Sequence, residues 1–223
     1  MTAAEGWLDG ISGPHQGQPV YTTGAELDDA EAAVIMIHGR GATAPSILDL
    51  ANLLPHPNMS YLAPQAKQGS WYPFPFLEAR SVNEPGLTSA HEVVRAILDG
   101  LSDAGIQPDR VVLLGFSQGA CLATDYAALN PRRYGGIVGL SGGLIGDELN
   151  PARYQGSLDG TPAFLGCSDI DPHIPVERVH ETSSILDRLE ADVTTSIYPG
   201  MGHTINPDEI EHARGIVEKL FQD

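Results

Sequence analysis

Ser117 stands in Gly115-Phe116-Ser117-Gln118-Gly119, directly after the apolar run Val111-Val112-Leu113-Leu114 and directly before a helix-like segment. Strand, sharp turn and helix in that order push a serine at the turn out above a sheet edge, and the flanking glycines leave room for the two backbones to pass in contact. A hydroxyl so presented becomes a nucleophile when a base takes its proton and a third group orients that base. The base expected here is His203. It lies in Tyr198-Pro199-Gly200-Met201-Gly202-His203, where glycines let the loop fold back over Ser117. A helix start follows at once, with Asn206 as cap, Pro207 at the first position and Glu209 three residues after the cap. His173 is the rival base. For the orienting acid, Asp169 and Asp171 compete in the loop after the strand ending at Cys167, at the end of a parallel sheet where sites assemble. Asp171 is favoured because Pro172 fixes its loop, with Asp169 left open. The chemistry such a set performs is acyl transfer.

A second loop, Gly39-Arg40-Gly41-Ala42-Thr43-Ala44, follows the apolar run Ala32–Ile37 and fits the G-x-G-x-x-A pattern of dinucleotide sites. That reading expects an acid at the end of the next strand, to hold a ribose. The strand ends Tyr61-Leu62-Ala63-Pro64-Gln65, without one. The more economical role is an oxyanion hole built from the backbone N–H groups of Arg40 and Gln118. His38, just before this loop, reads as a structural hydrogen-bonder.

The elements that must position these groups alternate. Strands are expected at Pro19–Thr23, Ala32–Ile37, Met59–Ala63, Val111–Leu114, Gly136–Leu140, Ala163–Cys167 and Val193–Tyr198, with helices at Thr88–Ala104, Ala120–Leu129, Val176–Leu189 and Asp208–Phe221. That alternation predicts an α/β fold, a mostly parallel central sheet of about seven strands with helices on both faces, in a single domain over 1–223. Residues 1–31 are polar and show little chemistry. The longest irregular stretch, 65–87, gathers Trp71, Tyr72, Phe74 and Phe76 around Pro73 and Pro75. It reads as an aromatic wall or partial lid over the substrate, or else as a loop pinned to the core by its rings. Trp71, Tyr72, Phe74 and Met201 are the expected pocket residues. Ser141-Gly142-Gly143 reads as a turn.

Composition excludes several functions. The 29 acidic residues against 12 basic ones give a net charge of −17, and Lys67 and Lys219 are the only lysines. So negative a surface repels nucleic acid and anionic lipid. The same balance suits adaptation to high salt, which screens self-repulsion. Neither the eight histidines nor Cys121 and Cys167 form a metal-ligand spacing, and the two cysteines read as buried free thiols. No segment approaches the ~20 apolar residues of a membrane span and no leader pattern opens the chain, so a soluble, cytoplasmic protein is expected. A homodimer is compatible with the chain.

The order Ser117, Asp171, His203 gives these stretches a resemblance. With Ile37-His38-Gly39-Arg40-Gly41, Gly115-Phe116-Ser117-Gln118-Gly119-Ala120, Asp171-Pro172-His173-Ile174-Pro175 and Gly202-His203, the chain resembles the α/β-hydrolases of the phospholipase/carboxylesterase family, which includes the acyl-protein thioesterases. The resemblance implies Ser117, Asp171 and His203 as catalytic triad, Arg40 and Gln118 as oxyanion donors, a small-molecule ester substrate and no cofactor. It selects Asp171 over Asp169 through the Asp-Pro-x-x-Pro form. Where the thioesterases carry Trp-Phe-Asp, this chain has Trp71-Tyr72-Pro73-Phe74, which points to shorter acyl or aryl esters than a lipidated protein.

Overall fold

The computed structural model describes residues 1–222. Eight strands, β1 (Thr2–Ala4), β2 (Val20–Gly24), β3 (Ala32–Ile37), β4 (Met59–Pro64), β5 (Val111–Phe116), β6 (Gly136–Leu140), β7 (Pro162–Ser168) and β8 (Asp192–Tyr198), line up in one sheet. Their order is β1-β2-β4-β3-β5-β6-β7-β8. The pairs from β4 to β8 are parallel, while β1 and β2 run antiparallel at one edge. The expected count of about seven misses β1, three residues paired with β2 that carry no periodicity of their own.

Among the described residues, five α-helices cover the sheet: α1 (Ala44–Leu48), α2 (Gly86–Asp103), α3 (Gln118–Leu129), α4 (Val176–Arg188) and α5 (Pro207–Lys219). A strand buried on both faces needs apolar side chains at every position, and β3 shows why the run Ala32–Ile37 has no polar alternation. Ala33, Ile35 and Ile37 pack into one cluster with α2, α3 and α4, and Ala32, Val34 and Met36 pack into the other with α1 and α5. Each valine, isoleucine or methionine side chain so buried contributes about 1.5–3 kcal/mol. Cys121 and Cys167 are buried free thiols, as expected.

The parallel register gathers the chemistry. Ile37 pairs with Gly115, Phe116 with Leu140, Leu140 with Gly166 and Ser168 with Tyr198, so β3, β5, β7 and β8 all end at one edge of the sheet. Loops carrying residues 38–43, 117, 169–175 and 199–206 therefore leave from a common side.

Candidate active site

Ser117 links β5 to α3 with φ +56° and ψ −122°, a region L-residues rarely occupy. The turn is enforced by contact. A Cβ on Gly119 would sit 2.0 Å from the Ile37 carbonyl oxygen, and one on Gly115 would sit 2.2 Å from the carbonyl of Gly119. Both glycines are therefore required for α3 to start against the strands, and the serine between them has nowhere to go but outward.

Three expected residues meet there. His203 Nε2 lies 2.9 Å from Ser117 Oγ, and His203 Nδ1 lies 2.7 Å from Asp171 Oδ2. An ionised carboxylate only accepts, so Nδ1 carries the proton and Nε2 is left as acceptor for the hydroxyl. Asp171 has a fully buried side chain. Burial works to raise its carboxyl, but hydrogen bonds from His203 and from the backbone N–H groups of His173 and Ile174 outweigh it, and the group sits below the usual carboxylate range.

The rivals have other partners. Asp169 Oδ1 accepts from the Gly200 N–H at 2.7 Å, and Ser168 Oγ accepts from the Gly202 N–H at 3.1 Å, so both tie the His203 loop to the end of β7. Asn206 and Glu209 hold its far end through a capping box at the start of α5. His173 packs edge-on against His203, with ring centroids 4.9 Å apart. His38 is buried, donates from Nδ1 to its neighbour's carbonyl Gly39 O and accepts the Ala66 N–H at Nε2, the structural role expected of it. Burial lowers its pKa.

Arg40 follows the end of β3 in a turn closed by the Ala42 N–H on Gly39 O, with Gly41 at φ +75°. A Cβ on Gly39 would lie 3.3 Å from the Cβ of Ser117, which measures how close this loop runs to the serine. Gln118 is the first residue of α3, where backbone N–H groups have no intrahelical acceptor. No acid stands at the end of β4. Gln65 there accepts the Ala44 N–H at 2.9 Å instead, leaving the glycine loop without a ribose partner.

A cavity of about 500 Å³ opens over Ser117, His203, Gln118 and Arg40. Its remaining walls come from Tyr72, Pro73, Pro75, Phe76, Ile174 and, with polar atoms, Cys121 and His173. Of the expected pocket residues only Tyr72 lines it. Trp71 is fully buried between His15 and His38, its Nε1 donating to His38 O at 2.8 Å. Phe74 is 51% exposed and turned outward, its N–H held by Asn83 Oδ1. The Met201 sulfur is taken by Asn206 Nδ2, next to the cap of α5. The loop is thus both pinned and wall. Aromatic content marks such a stretch, but the hydrogen bonds that decide which ring turns inward come from distant residues. Cys121, four residues after Ser117 on α3, could have been found from helical spacing alone.

Among the described residues no group of three or more His, Cys, Asp or Glu could hold a metal ion, and no helix is long and apolar enough to cross a membrane.

The family model described as Phospholipase/Carboxylesterase matches residues 22–221. Acyl-protein thioesterase 1 of Saccharomyces cerevisiae is 28% identical over 220 residues, covering 87% of this chain and 95% of that protein. A phospholipase/carboxylesterase from Dyadobacter fermentans is 39% identical, with a TM-score of 0.88 over 95% of this chain and 100% of that one. Esterase PE8 is 25% identical, with a TM-score of 0.74 over 90% and 97%. With its eight-stranded sheet, its serine turn and these matches, the chain is an α/β-hydrolase and belongs to the phospholipase/carboxylesterase family.

Proposed function

We propose that this chain is a serine carboxylesterase that hydrolyses short- to medium-chain acyl or aryl esters through an acyl-enzyme intermediate. The observation that carries the reading is the continuous chain of short contacts Ser117 Oγ–His203 Nε2–His203 Nδ1–Asp171 Oδ2, at 2.9 and 2.7 Å, opening into the cavity. His203 takes the proton as Ser117 attacks the ester carbonyl, and Asp171 keeps the imidazole in the required tautomer and stabilises its charge. The backbone N–H groups of Arg40 and Gln118 receive the developing oxyanion. The imidazolium then returns its proton to the leaving alcohol, and water repeats the route to release the acid. The nucleophile, the base, the orienting acid and the two oxyanion donors of this reaction all come from the one chain.

The cavity supports a compact substrate. About 500 Å³ falls within the ~300–1,000 Å³ of small-molecule sites, and the Tyr72, Pro73, Pro75 and Phe76 wall suits a compact acyl or aryl group. Replacing Ser117 by Ala lowers turnover of a p-nitrophenyl butanoate by roughly 10⁴-fold or more with the fold intact by circular dichroism. Wild-type-like activity in that variant removes the assignment. A thioester reading is supported by the names of the curated relatives, acyl-protein thioesterase 1 in Saccharomyces cerevisiae, Gibberella zeae, Debaryomyces hansenii and Kluyveromyces lactis. Turnover of butanoyl esters and butanoyl thioesters of matched leaving-group acidity separates the two.

A further inference from the structure

We infer that the segment Trp71–Phe74 is a template for the oxyanion hole, and that the side chains of Arg40 and Gln118 are positioning residues that clamp their own backbone N–H groups to it. The inference rests on the esterase reading above and adds a role for side chains whose backbones alone that reading uses. Between them these two side chains hydrogen-bond four consecutive residues of the wall. Arg40 Nη1 donates to Pro73 O and Nη2 to Phe74 O, each at 2.8 Å. Gln118 Oε1 accepts from the Trp71 N–H and Gln118 Nε2 donates to Tyr72 O, each at 2.9 Å.

The clamp is closed on the other side by the backbone that leads into the oxyanion loop. Trp71 Nε1 donates to His38 O at 2.8 Å, and the Gly41 N–H donates to Gly69 O at 2.7 Å. The wall is itself immobilised, since His15 Nε2 donates to Trp71 O at 2.9 Å while Asn83 accepts from the Phe74 N–H and donates to Pro75 O. One N–H of the proposed pair comes from the loop after β3 and the other from the start of α3, elements that share no covalent neighbour. Their separation is what an oxyanion feels, and a fixed separation is what makes such donors effective, because no reorganisation is needed when charge develops. A planar guanidinium fork and a primary amide, each held at two points, set that separation against one rigid strip of chain.

The consequence is that these side chains act on the transition state and not on ground-state binding. The test compares a trifluoromethyl ketone, which adds to the serine and places an oxyanion in the hole, with its methyl ketone analogue, which does not. Arg40→Ala, Arg40→Lys and Gln118→Met are assayed for kcat/KM on p-nitrophenyl butanoate and for inhibition by both ketones. Arg40→Ala and Gln118→Met should lower kcat/KM by about 10- to 100-fold and weaken the trifluoromethyl ketone by the same factor, the methyl ketone changing by less than about 3-fold. Arg40→Lys, which reaches one carbonyl but not both, should restore part of each loss. Equal weakening of both ketones, or unchanged trifluoromethyl ketone affinity, overturns the inference. If Gln118→Met fails to fold, the exposed Arg40 position decides alone. Failure of the esterase reading is seen separately, as wild-type turnover by Ser117→Ala.

Discussion

Two histidines stand within ring contact of each other beside Ser117, and only one has the partners a base needs. His203 has Asp171 behind it and the serine hydroxyl in front, whereas the ring of His173 packs edge-on against His203 and lines the cavity. Replacing His203 by Ala is expected to cost as much turnover as losing Ser117, because residues that act as one unit fail together. Replacing His173 by Ala is expected to keep kcat within about 10-fold, its effect falling on substrate contacts. Steady-state rates on p-nitrophenyl butanoate decide it; equal collapse of both variants contradicts the assignment of the base. Residue types and spacing bring out Ser117 and favour His203 over its rival His173, because glycines and strand ends surround both Ser117 and His203. They were not enough to separate Asp169 from Asp171, two carboxylates two residues apart. What separates them is direction: one reaches the Gly200 amide and the other the imidazole.

At the scale of elements the serine turn depends on a close crossing of α3 over β3 and β5. Gly119→Ala would place a Cβ 2.0 Å from a backbone oxygen that cannot swing aside, and should destabilise by at least about 3 kcal/mol in urea unfolding. Gly215, inside α5 with nothing within 4 Å of its added Cβ, is the control: Gly215→Ala should stabilise by about 0.5–1 kcal/mol. Equal effects at the two sites contradict the packing argument. The strands from β3 to β8 and the four long helices were legible because buried faces impose a period, and their ends moved by only one or two residues. Helix α1 was not, although Thr43 caps it and Pro45 opens it, because five residues are too few to show a period. The wall 71–76 was legible as aromatic but not as a surface. Trp71 is drawn inward by His38 and Phe74 is left outside, and no local pattern encodes that sorting.

For the molecule as a whole, stability and pH are linked through a buried acid away from the chemistry. Glu209, the capping-box residue of α5, is fully buried, and Gly166 leaves it room: a Cβ there would lie 2.2 Å from Oε1. Burial pushes its pKa up to about 7, against the opposing bond from the Asn206 N–H. A raised carboxyl binds its proton more tightly in the folded state than in the unfolded one, so its stabilising contribution is complete in acid and is lost as pH rises towards 7. Asp171 works in the opposite sense, and its contribution is lost as pH falls below the usual carboxylate range. Urea unfolding at pH 5 and pH 8 should therefore show the wild type losing more stability over that interval than Glu209→Gln, which keeps an acceptor for Asn206. Parallel losses in the two proteins contradict the assignment. The net charge of −17 repels other polyanions, while the cavity over Ser117 is lined by Arg40 and by no aspartate or glutamate.

In the proposed reaction Ser117 carries the acyl group between two half-reactions. Peptide mass spectrometry of the protein acid-quenched during turnover of p-nitrophenyl acetate measures this directly. One acetyl group is expected on the peptide holding Ser117, absent from Ser117→Ala and lost on further incubation. An acetyl group that settles elsewhere, or turnover that proceeds with that peptide unmodified at every quench time, contradicts it.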